Sequence, residues 1–548
     1  MFKVNFSGKQ IELDEKKRIL SLIPAEEKKT YYAAKVNNRL RELNYELCFD
    51  CDVELLKLDS IDAVKVYETS LRYLISMAFF NVMRNVKIRI SYNVSRSLLV
   101  EIVEPKKMCL DFKSVKLIKN EMERLIDADL PFERCTLTKD EAHDFYVKIG
   151  ATDKDAILKY RPERNCHFYK CNEYINYMYG YMVPSTGYLR SFVVNVYGSG
   201  MIIQYPRAEE GGKIPIFEDT PVYGRVLQSA AEWAKRCNAE TVAKMNEQIL
   251  AGTYVDLVNL CETRQNGMLY ELGNEIQNNI NDIRLICIAG PSSSGKTTFS
   301  NRLRIELMSR GIKPLRISLD MYYKEKDACP LDADGKPDFE SLDALDLEYF
   351  NEQMIALIGG EEVELPVFDF ASGRLESGIK TRIDEHTPII IEGIHALNDK
   401  LSFAIPVHQK YKIYIAPQFA LNLDGDNPIS LTDLRLLRRI VRDRQFRATD
   451  AEKTIEMWSS VRRGEFEWIY PFQEGCNFVF NSSLAYELCV IKKYAMPALA
   501  KIQSDSPYYI TANRLMKNLK YFKDIEDDVV PCNSLLREFI GGSCFKDV

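Results

Sequence analysis

The stretch GPSSSGKT, residues 290–297, places glycines, hydroxyl side chains and a lysine in the order that binds nucleotide phosphates. In the pattern G-x-x-x-x-G-K-[ST], the glycines let the backbone curl so that successive N–H groups point inward at the phosphates. The lysine adds a mobile positive charge, and the final hydroxyl can ligate Mg²⁺. An apolar strand before it and a helical pattern after it favour a phosphate-binding loop over a linker. The predicted binding residues are Gly290, Pro291, Ser292, Ser293, Ser294, Gly295, Lys296, Thr297 and Thr298.

Two carboxylates follow this loop along the chain, each at the end of an apolar, β-branched run. Asp320 ends RISLD, and Glu392 ends PIIIE. In an open α/β sheet, ligands bind at the carboxyl ends of the strands, so both side chains are expected near the loop. A carboxylate there can hold Mg²⁺, or orient an acceptor hydroxyl and take its proton. Either acid alone could be a surface residue, but the two in order behind the loop predict phosphoryl transfer.

A cationic stretch, RLLRRIVRDRQFR at residues 435–447, holds six arginines in thirteen positions. Four of them have the spacing i, i+3, i+4 and i+7 of a single helix face: Arg435, Arg438, Arg439 and Arg442. Apolar residues form another side of the same helix: Leu434, Leu437 and Val441. Such a face can bind RNA, be merely solvated, or close on a nucleotide. Its place in the same α/β region as the loop favours a lid that clamps the γ-phosphate.

The composition excludes a protein-wide attraction to polyanions. Lys and Arg number 73 against 79 Asp and Glu, a net charge of −6 over 548 residues, so any polyanion site must be local. This length predicts several domains. No signal pattern and no apolar run near the roughly 20 residues of a membrane span are present, so no membrane segment is expected. Fourteen scattered cysteines are typical of reduced thiols and predict a cytoplasmic protein.

The pattern of strands and helices changes along the chain. A β-rich start contains VNN, a hairpin signal, and a mixed segment follows it. A helical stretch then leads into alternating strands and helices, which predict a parallel α/β sheet. The predicted units are 1–60, 61–210, a helical connector at 211–280, an α/β domain at 281–505 and a tail at 506–548. The apolar pattern of 531–545 is expected to dock on the α/β domain or on a partner subunit.

Seven ordered segments from the α/β domain carry a family resemblance. They are GPSSSGKTT, SLDMYY, PDFESLDALD, PVFDF, IIIEGIHAL, RLLRRIVRDRQFR and FNSSLAYEL. Residues 281–505 thereby resemble the uridine kinase branch of the uridine kinase/phosphoribulokinase superfamily. The resemblance implies a P-loop NTPase-type parallel-sheet kinase domain that uses ATP and Mg²⁺.

The resemblance also implies roles for single residues. Asp320 would be the catalytic base and a magnesium neighbour, with Thr297 and Glu392 completing the magnesium environment. Lys296 and Arg442 would act on the phosphates during transfer. Residues that would contact the nucleoside or the phosphates are Tyr323, Glu340, Phe368, Arg439 and Arg447. Arg435 and Arg438 are expected only to cap the domain surface.

Three positions depart from the uridine kinase pattern. Glu340 stands where those enzymes use an aspartate to hold the ribose hydroxyls, and Gly373 stands where they use a histidine against the pyrimidine base. Thr449 replaces the last lid arginine. Hydrogen-bonding side chains determine which nucleoside base such a site accepts. The transfer chemistry is therefore expected to persist, while the base preference stays open.

The front of the chain resembles the N-terminal region of threonyl-tRNA synthetases. YYAAKVNNRLREL resembles their TGS domain, while LPFERCTLTKDEA and VPSTGYLRSF resemble the α+β second domain, which edits mischarged tRNA. The places of the editing His and Cys residues are held by Tyr73, Met77, Met178 and Met182. Tyrosine and thioethers cannot supply imidazole and thiolate chemistry. A retained scaffold whose replacements pack a core, with lost editing, is therefore expected.

The favoured function is an ATP/Mg²⁺-dependent nucleoside kinase that phosphorylates the 5′-hydroxyl of a ribonucleoside, with uridine or cytidine as the first expectation. One alternative keeps the loop but transfers phosphate to a sugar phosphate or another small alcohol. The other is a tRNA-binding regulatory protein whose loop is a nucleotide switch; the net charge of −6 disfavours it. GTP in place of ATP and assembly into a homo-oligomer are left open.

Overall fold

A computed structural model describes residues 2–331, 335, 337–369, 374–384 and 386–546. The first elements are β1 (Phe2–Phe6), β2 (Lys9–Leu13), β3 (Lys17–Arg18), α1 (Ile19–Leu22), β4 (Ala33–Val36), β5 (Arg39–Arg41), β6 (Glu46–Leu47) and β7 (Cys51–Leu56). Five of the strands build a sheet in the order β2–β1–β7–β4–β5, and β3 pairs with β6 separately. Val36 pairs with Arg39 across Asn37 and Asn38, whose φ angles are 45° and 58°. This is the two-residue hairpin turn predicted from VNN, in which both central residues need positive φ.

The next region is a mixed layer of helices and sheets around one long helix. Its elements are α2 (Ile61–Val82), β8 (Lys87–Tyr92), β9 (Leu98–Glu104), α3 (Phe112–Asp127), β10 (Glu133–Thr138), α4 (Lys139–Ile149), α5 (Thr152–Leu158), β11 (Asn165–Cys171), β12 (Tyr174–Tyr177), β13 (Val193–Tyr197) and β14 (Gly200–Gln204). The sheets have the orders β13–β14–β9–β8 and β10–β11–β12. Helix α2 is apolar on most sides and is buried along most of its length.

The side chains of Tyr73, Met77, Met178 and Met182 all lie in the core. Each is no more than 3% exposed. The Tyr73 hydroxyl lies 3.0 and 2.8 Å from the carbonyl oxygens of Tyr169 and Tyr174 and can donate its proton to either, so its polar atom is satisfied without a ligand. The expectation that these residues pack a core is confirmed.

Three helices connect this region to the α/β domain: α6 (Pro221–Arg236), α7 (Val242–Leu250) and α8 (Tyr254–Asn278). The last turns of α8 pack Leu269, Leu272 and Ile276 into the same apolar cluster as Phe299 and Leu303 of the helix that follows the phosphate-binding loop. The connector thus covers one face of the α/β sheet. No helix among the residues the structure describes is long and apolar enough to span a membrane.

The α/β domain is built on a parallel sheet. Its elements are β15 (Leu285–Ala289), α9 (Lys296–Ser309), β16 (Leu315–Ser318), α10 (Leu347–Ile358), β17 (Val363–Asp369), β18 (Arg374–Thr381), β19 (Ile389–Glu392), β20 (Lys410–Ala416), β21 (Asn422–Asp424), β22 (Asn427–Pro428), α11 (Leu431–Phe446), α12 (Ala451–Trp468), β23 (Phe478–Asn481) and α13 (Glu487–Leu499). The strand order is β16–β19–β15–β20–β23, with parallel pairing at each step. β15 and β19 are buried at every position because helices cover both faces.

The chain ends with α14 (Tyr509–Leu519) and the short helix α15 (Arg537–Ile540), which packs on α11. Leu536, Phe539 and Ile540 enter the apolar cluster that also contains Leu434 and Leu437 of α11. Docking of this part of the tail on the α/β domain is therefore observed. The boundaries of the five units named from the sequence stay predictions.

The turn between β21 and β22 joins the α/β domain to the mixed region. Its Asp426 carboxylate pairs with Lys154 and accepts hydrogen bonds from Asn176 Nδ2 at 2.8 Å and Ser76 Oγ at 2.9 Å. Arg72 donates to the Asp426 carbonyl at 2.9 Å. Burial opposes ionisation of Asp426, but the Lys154 charge and these hydrogen bonds hold its pKa below the ordinary value. The turn is thus fixed by a buried ionic network.

We expect Lys154→Met to loosen this junction, because Asp426 would stay buried without its cation. Removing one partner of a buried pair costs about 3–5 kcal/mol. Hydrogen exchange of the amides in residues 422–428 measures the local opening free energy. The matched control is Lys87→Met, which breaks an exposed ion pair with Glu104 and should change stability by at most about 1 kcal/mol. Equal effects of the two variants would show that the network does not hold the turn.

Candidate active site

The phosphate-binding loop connects β15 to α9 through a backbone that only certain residues allow. Ser293 and Gly295 have φ angles of 59° and 95°. A Cβ added to Gly290 would lie 2.0 Å from the Ile415 carbonyl oxygen of the neighbouring strand, so the first glycine of the pattern is required by close packing. The loop predicted from GPSSSGKT is therefore formed as a strand–loop–helix unit.

Polar atoms of the loop fit a phosphate ligand. Within the described residues, the hydroxyl oxygens of Ser293, Ser294 and Thr298 are buried without a hydrogen-bond partner. Buried hydroxyls in that condition are costly, and a ligand that accepts hydrogen bonds would satisfy them. Lys296 Nζ donates to the Gly290 carbonyl at 2.9 Å. Burial lowers the pKa of Lys296, while the charges of Glu392, Glu538 and Asp320 oppose that shift.

The two predicted carboxylates lie together at the carboxyl edge of the sheet. Asp320 follows β16 in a short turn, Leu319–Tyr322, and Glu392 is the last residue of β19. The Glu392 side chain is buried, and burial together with the Asp320 charge raises its pKa to about 7, against the opposing charges of Lys296 and Arg316. Two carboxylates of this kind are oxygen ligands that Mg²⁺ accepts when phosphates supply further ligands.

Asp320 reaches solvent, although protein atoms crowd around its carboxylate. This crowding raises the pKa of Asp320, and the positive charges of Lys296, Arg447 and Arg442 oppose the shift. An accessible carboxylate with a raised pKa is suited to accept a proton from a substrate. The loop lysine and two arginines of the predicted lid therefore converge on the predicted base.

Arg435 and Arg438 are not at the surface, so that expectation is wrong. They are 4% and 1% exposed. Arg435 Nε donates to the Ser292 carbonyl at 3.0 Å, and Arg438 Nη1 donates to the Ser293 carbonyl at 3.3 Å. A loop that turns its N–H groups inward leaves its carbonyls pointing outward, and buried carbonyls need donors. These two arginines supply them from beneath the loop.

Glu465 completes this support and was missed by the sequence analysis. It is 1% exposed, accepts the Ser292 N–H at 3.2 Å, and pairs with both Arg435 and Arg462. A signal was present: Glu465 lies on the apolar face of α12, four residues after the buried Val461. A charged residue at such a position is either paired or destabilising.

The remaining lid arginines gather around one buried aspartate, Asp443. Arg442 Nη2 lies 2.8 Å from Asp443 Oδ1, Arg439 Nε lies 3.2 Å from Oδ2, and Arg447 Nε lies 3.7 Å from Oδ1. Arg439 Nη1 also donates to Ser292 Oγ at 2.8 Å. Asp443 holds the three predicted lid arginines in one group beside the loop.

Glu340, which is predicted to contact the nucleoside, lies near charged residues of both the loop and the predicted lid. Glu340 is half-buried against Gly464, where an added Cβ would lie 2.7 Å from the Glu340 Cβ. Burial raises the pKa of Glu340 to about 7, while the charges of Arg439 and Lys296 oppose the shift. Glu340 is thus in electrostatic reach of both loop and lid.

Tyr323 is buried, and its hydroxyl donates to the Phe339 carbonyl at 3.0 Å. The Phe368 side chain and Gly373 lie outside the described residues. Thr449 Oγ1 donates to the Arg447 carbonyl at 3.0 Å, so it has a local partner in the lid. His395, not singled out from the sequence, lies beside the Glu340 backbone, and burial lowers its pKa to about 4.

Comparison with known proteins agrees with this arrangement. Residues 285–485 match the family model described as Phosphoribulokinase / Uridine kinase family. A uridine kinase of Chloroflexus aurantiacus is 31% identical over 198 residues, which are 36% of this chain and 85% of that protein. The chain belongs to this family. Its kinase domain is therefore that of a phosphotransferase with an alcohol acceptor.

Other relatives lead to the same family. A uridine kinase of Staphylococcus aureus strain JH9 is 32% identical over 179 residues, 33% of this chain and 77% of that protein. The solved structure of a possible uridine kinase from Bacillus stearothermophilus is 16% identical, with a TM-score of 0.23, and the match covers 38% of this chain and all of that one (100%). At that TM-score it adds no argument about the kinase domain.

We expect Glu465→Gln to weaken nucleotide binding, because Arg435 and Arg462 would lose their shared counter-charge and Arg435 would then hold the Ser292 carbonyl less firmly. The KM for nucleotide should rise about tenfold, a loss typical of an altered positioning contact. The control is Glu456→Gln on the same helix, where the glutamate makes an exposed ion pair with Lys453. Steady-state kinetics measure both. An unchanged KM in Glu465→Gln would contradict the support role.

We expect the free energy of unfolding to depend on pH because the pKa of Glu392 is raised in the folded protein. Its pKa is about 7 in the folded chain against an ordinary 4.5. The folded state therefore holds the proton more tightly, and stability is lost as pH rises from about 4.5 to about 7. In Glu392→Gln this loss, about 3 kcal/mol for such a shift, should be absent. Thermal unfolding across this pH range measures it, with exposed Glu361→Gln as the control. Parallel curves for wild type and Glu392→Gln would contradict the shift.

Proposed function

We propose that the protein is an ATP- and Mg²⁺-dependent nucleoside kinase that phosphorylates the 5′-hydroxyl of a ribonucleoside. The observation that carries the proposal is the placement of Asp320, whose carboxylate is accessible yet lies in the combined field of Lys296, Arg442 and Arg447. A family member needs one group to take the acceptor proton and several to stabilise charge on the transferred phosphoryl group. This cluster contains both kinds.

The proposed step is an in-line displacement. The 5′-oxygen of the acceptor forms a bond to the γ-phosphorus as the bond from that phosphorus to the bridging oxygen of ADP breaks. Asp320 takes the hydroxyl proton, and Lys296 with the loop N–H groups holds the phosphates. Arg439, Arg442 and Arg447 stabilise the charge that spreads over the transferred group. When bound, Mg²⁺ neutralises phosphate charge.

The residues present fit both cofactors. Three buried hydroxyls without partners among the described residues line the loop, as a polyphosphate requires. Thr297, Asp320 and Glu392 would hold the metal ion, and a cation there would favour the ionised form of the buried Glu392. We assign ATP rather than GTP as the donor on the family resemblance alone.

For the acceptor, Glu340 is the residue we propose to hold the ribose hydroxyls. It lies within reach of the charges of Lys296 and Arg439, between loop and lid. Uridine or cytidine is the first expectation. A glutamate where the family uses an aspartate, and a glycine at 373 where it uses a base-reading histidine, leave other ribonucleosides as acceptors to be tested.

For the front of the chain, we propose a TGS-like unit at 1–60 and a synthetase-like second unit at 61–210 that serve as a scaffold. The core packing of Tyr73 and Met178 supports lost editing. The buried bonds from Lys154 and Asn176 to Asp426 support a structural role, since they bind the segment that leads directly into the lid helix α11. A cytoplasmic location and a homo-oligomer belong to this proposal as expectations.

We expect Asp320→Asn and Lys296→Ala to abolish transfer while the fold persists. Loss of a general base lowers kcat by about 10²–10⁴-fold, and loss of a phosphate-stabilising charge by about 10²–10³-fold. Asp343→Asn, a change of the same type at an exposed aspartate, is the control and should stay active. Release of ADP measures turnover, and thermal unfolding reports the fold. Near-normal turnover in either active-site variant would refute the mechanism.

The acceptor is best identified with labelled ATP and a panel of alcohols. We expect a 5′-monophosphate from at least one ribonucleoside and a higher KM for its 2′-deoxy analogue, because Glu340 would lose a hydroxyl partner. In Glu340→Gln, the KM values for the ribonucleoside and its 2′-deoxy analogue should lie closer together. Phosphorylation of sugar phosphates or pantothenate-like alcohols alone would replace the nucleoside assignment. Micromolar, strongly salt-dependent tRNA binding with no phosphorylated acceptor would favour the regulatory alternative.

A further inference from the structure

The C-terminal tail segment, defined here as residues 531–546, contacts the phosphate-binding loop itself. The Thr298 N–H donates to Glu538 Oε2 at 3.0 Å. A Cβ added to Gly295 would lie 3.3 Å from a Leu535 methyl carbon, so the segment packs directly against the loop. These residues lie beyond the family match, which ends at 485. The contact is thus supplied by a part of the chain outside the matched kinase domain.

The N–H that Glu538 occupies belongs to the phosphate-binding set. Thr298 is the third residue of α9, and the first N–H groups of a helix have no partner within the helix. In a phosphate-binding loop, these groups and those of the preceding turn receive the anionic oxygens. A carboxylate hydrogen-bonded to this N–H therefore resembles a phosphate oxygen in both charge and position.

The Glu538 charge also reaches the other groups of the site. It opposes the lowering of the Lys296 pKa, and it contributes to the raised pKa of Glu392. A negative charge so close to the loop lysine offsets part of the positive potential that attracts phosphates. An incoming polyphosphate would meet both a blocked N–H and a repelling charge.

The rest of the segment is anchored too firmly to leave easily. Leu535, Leu536 and Phe539 are fully buried, and the Phe539 ring lies 4.9 Å from the Arg438 guanidinium. Ser534 Oγ donates to Glu262 at 2.6 Å. Exposing several large apolar side chains is far costlier than rotating one glutamate side chain. The side chain, rather than the whole segment, is therefore the part able to yield.

We propose that the Glu538 carboxylate and a phosphate of the nucleotide compete for the Thr298 N–H, so that Glu538 lowers the affinity of the site for nucleotide and swings aside when nucleotide binds. This inference rests on the nucleotide site of the proposed function. It makes the tail segment a built-in regulator of donor affinity. The nucleoside acceptor, which lacks phosphates, is not subject to the competition.

The test compares Glu538→Gln with the wild-type chain by calorimetric titration with ATP and with ADP. Glutamine keeps the size and a hydrogen-bond acceptor but removes the charge. We expect both nucleotides to bind about fivefold more tightly, because a charge-assisted hydrogen bond becomes a neutral one and the repulsion is lost. Added KCl should reduce the difference in nucleotide affinity between Glu538→Gln and the wild-type protein, because salt screens the repulsion. The KM for the acceptor should not change.

The matched control is Glu526→Gln, an exposed glutamate upstream of the tail segment that pairs with Lys493 and should leave ATP affinity unchanged. Glu538→Ala removes charge and acceptor together and should bind ATP at least as tightly as Glu538→Gln. Thermal unfolding of each variant verifies the fold.

Unchanged or weaker ATP binding in folded Glu538→Gln and Glu538→Ala would overturn the competition while leaving the kinase proposal intact. Absence of ATP binding in wild type, Glu526→Gln and both Glu538 variants would instead overturn the nucleotide site, and the inference with it.

Discussion

The structure depends on how the outward-facing carbonyls of the phosphate-binding loop are satisfied. A loop that directs its N–H groups at an anion must direct carbonyls away from it, and in this protein those carbonyls are buried. Arg435 and Arg438 donate to them, and Glu465 neutralises Arg435 while accepting the Ser292 N–H. Arg438 has its own buried counter-charge in Glu487, so two ion pairs hold the loop backbone. Without them, the buried carbonyls and cations would each be unpaired.

The same helix that supports the loop also presents the charges above it. Helix α11 has buried arginines beneath the loop and a second group, Arg439 and Arg442, gathered with Arg447 on Asp443. Because one rigid helix carries both groups, the position of the lid charges relative to the loop is fixed by its packing. This explains how Asp320, although accessible to solvent, lies in the field of Lys296 and two arginines.

The front region and the tail both act on this arrangement through packing. The Asp426 turn, bound by Lys154 and Asn176, stands a few residues before α11 begins at Leu431. Asp433 in the first turn of α11 pairs with Arg514 of α14. The start of the helix is thereby fixed by elements that do not belong to the parallel sheet. At the start of α9, Glu538 brings a carboxylate from the C-terminal segment to the Thr298 N–H.

The sequence alone determined the loop, the parallel sheet and the hairpin at Asn37, because these depend on local patterns: a fixed glycine spacing, continuous apolar runs and residues that tolerate positive φ. It also predicted that Asp320 and Glu392 lie at the carboxyl edge of the sheet, although Asp320 follows its strand by two residues. It set Arg435 and Arg438 apart from Arg439, Arg442 and Arg447 but wrongly placed them at the surface, because only the tertiary structure decides which face of the helix is buried against the loop. Asp443 pairs with arginines one and four residues away along the chain, a local spacing. Glu465 and Glu538, in contrast, acquire their contacts with the loop from partners distant in sequence. Their roles depend on which atoms burial brings together, and no local pattern records that.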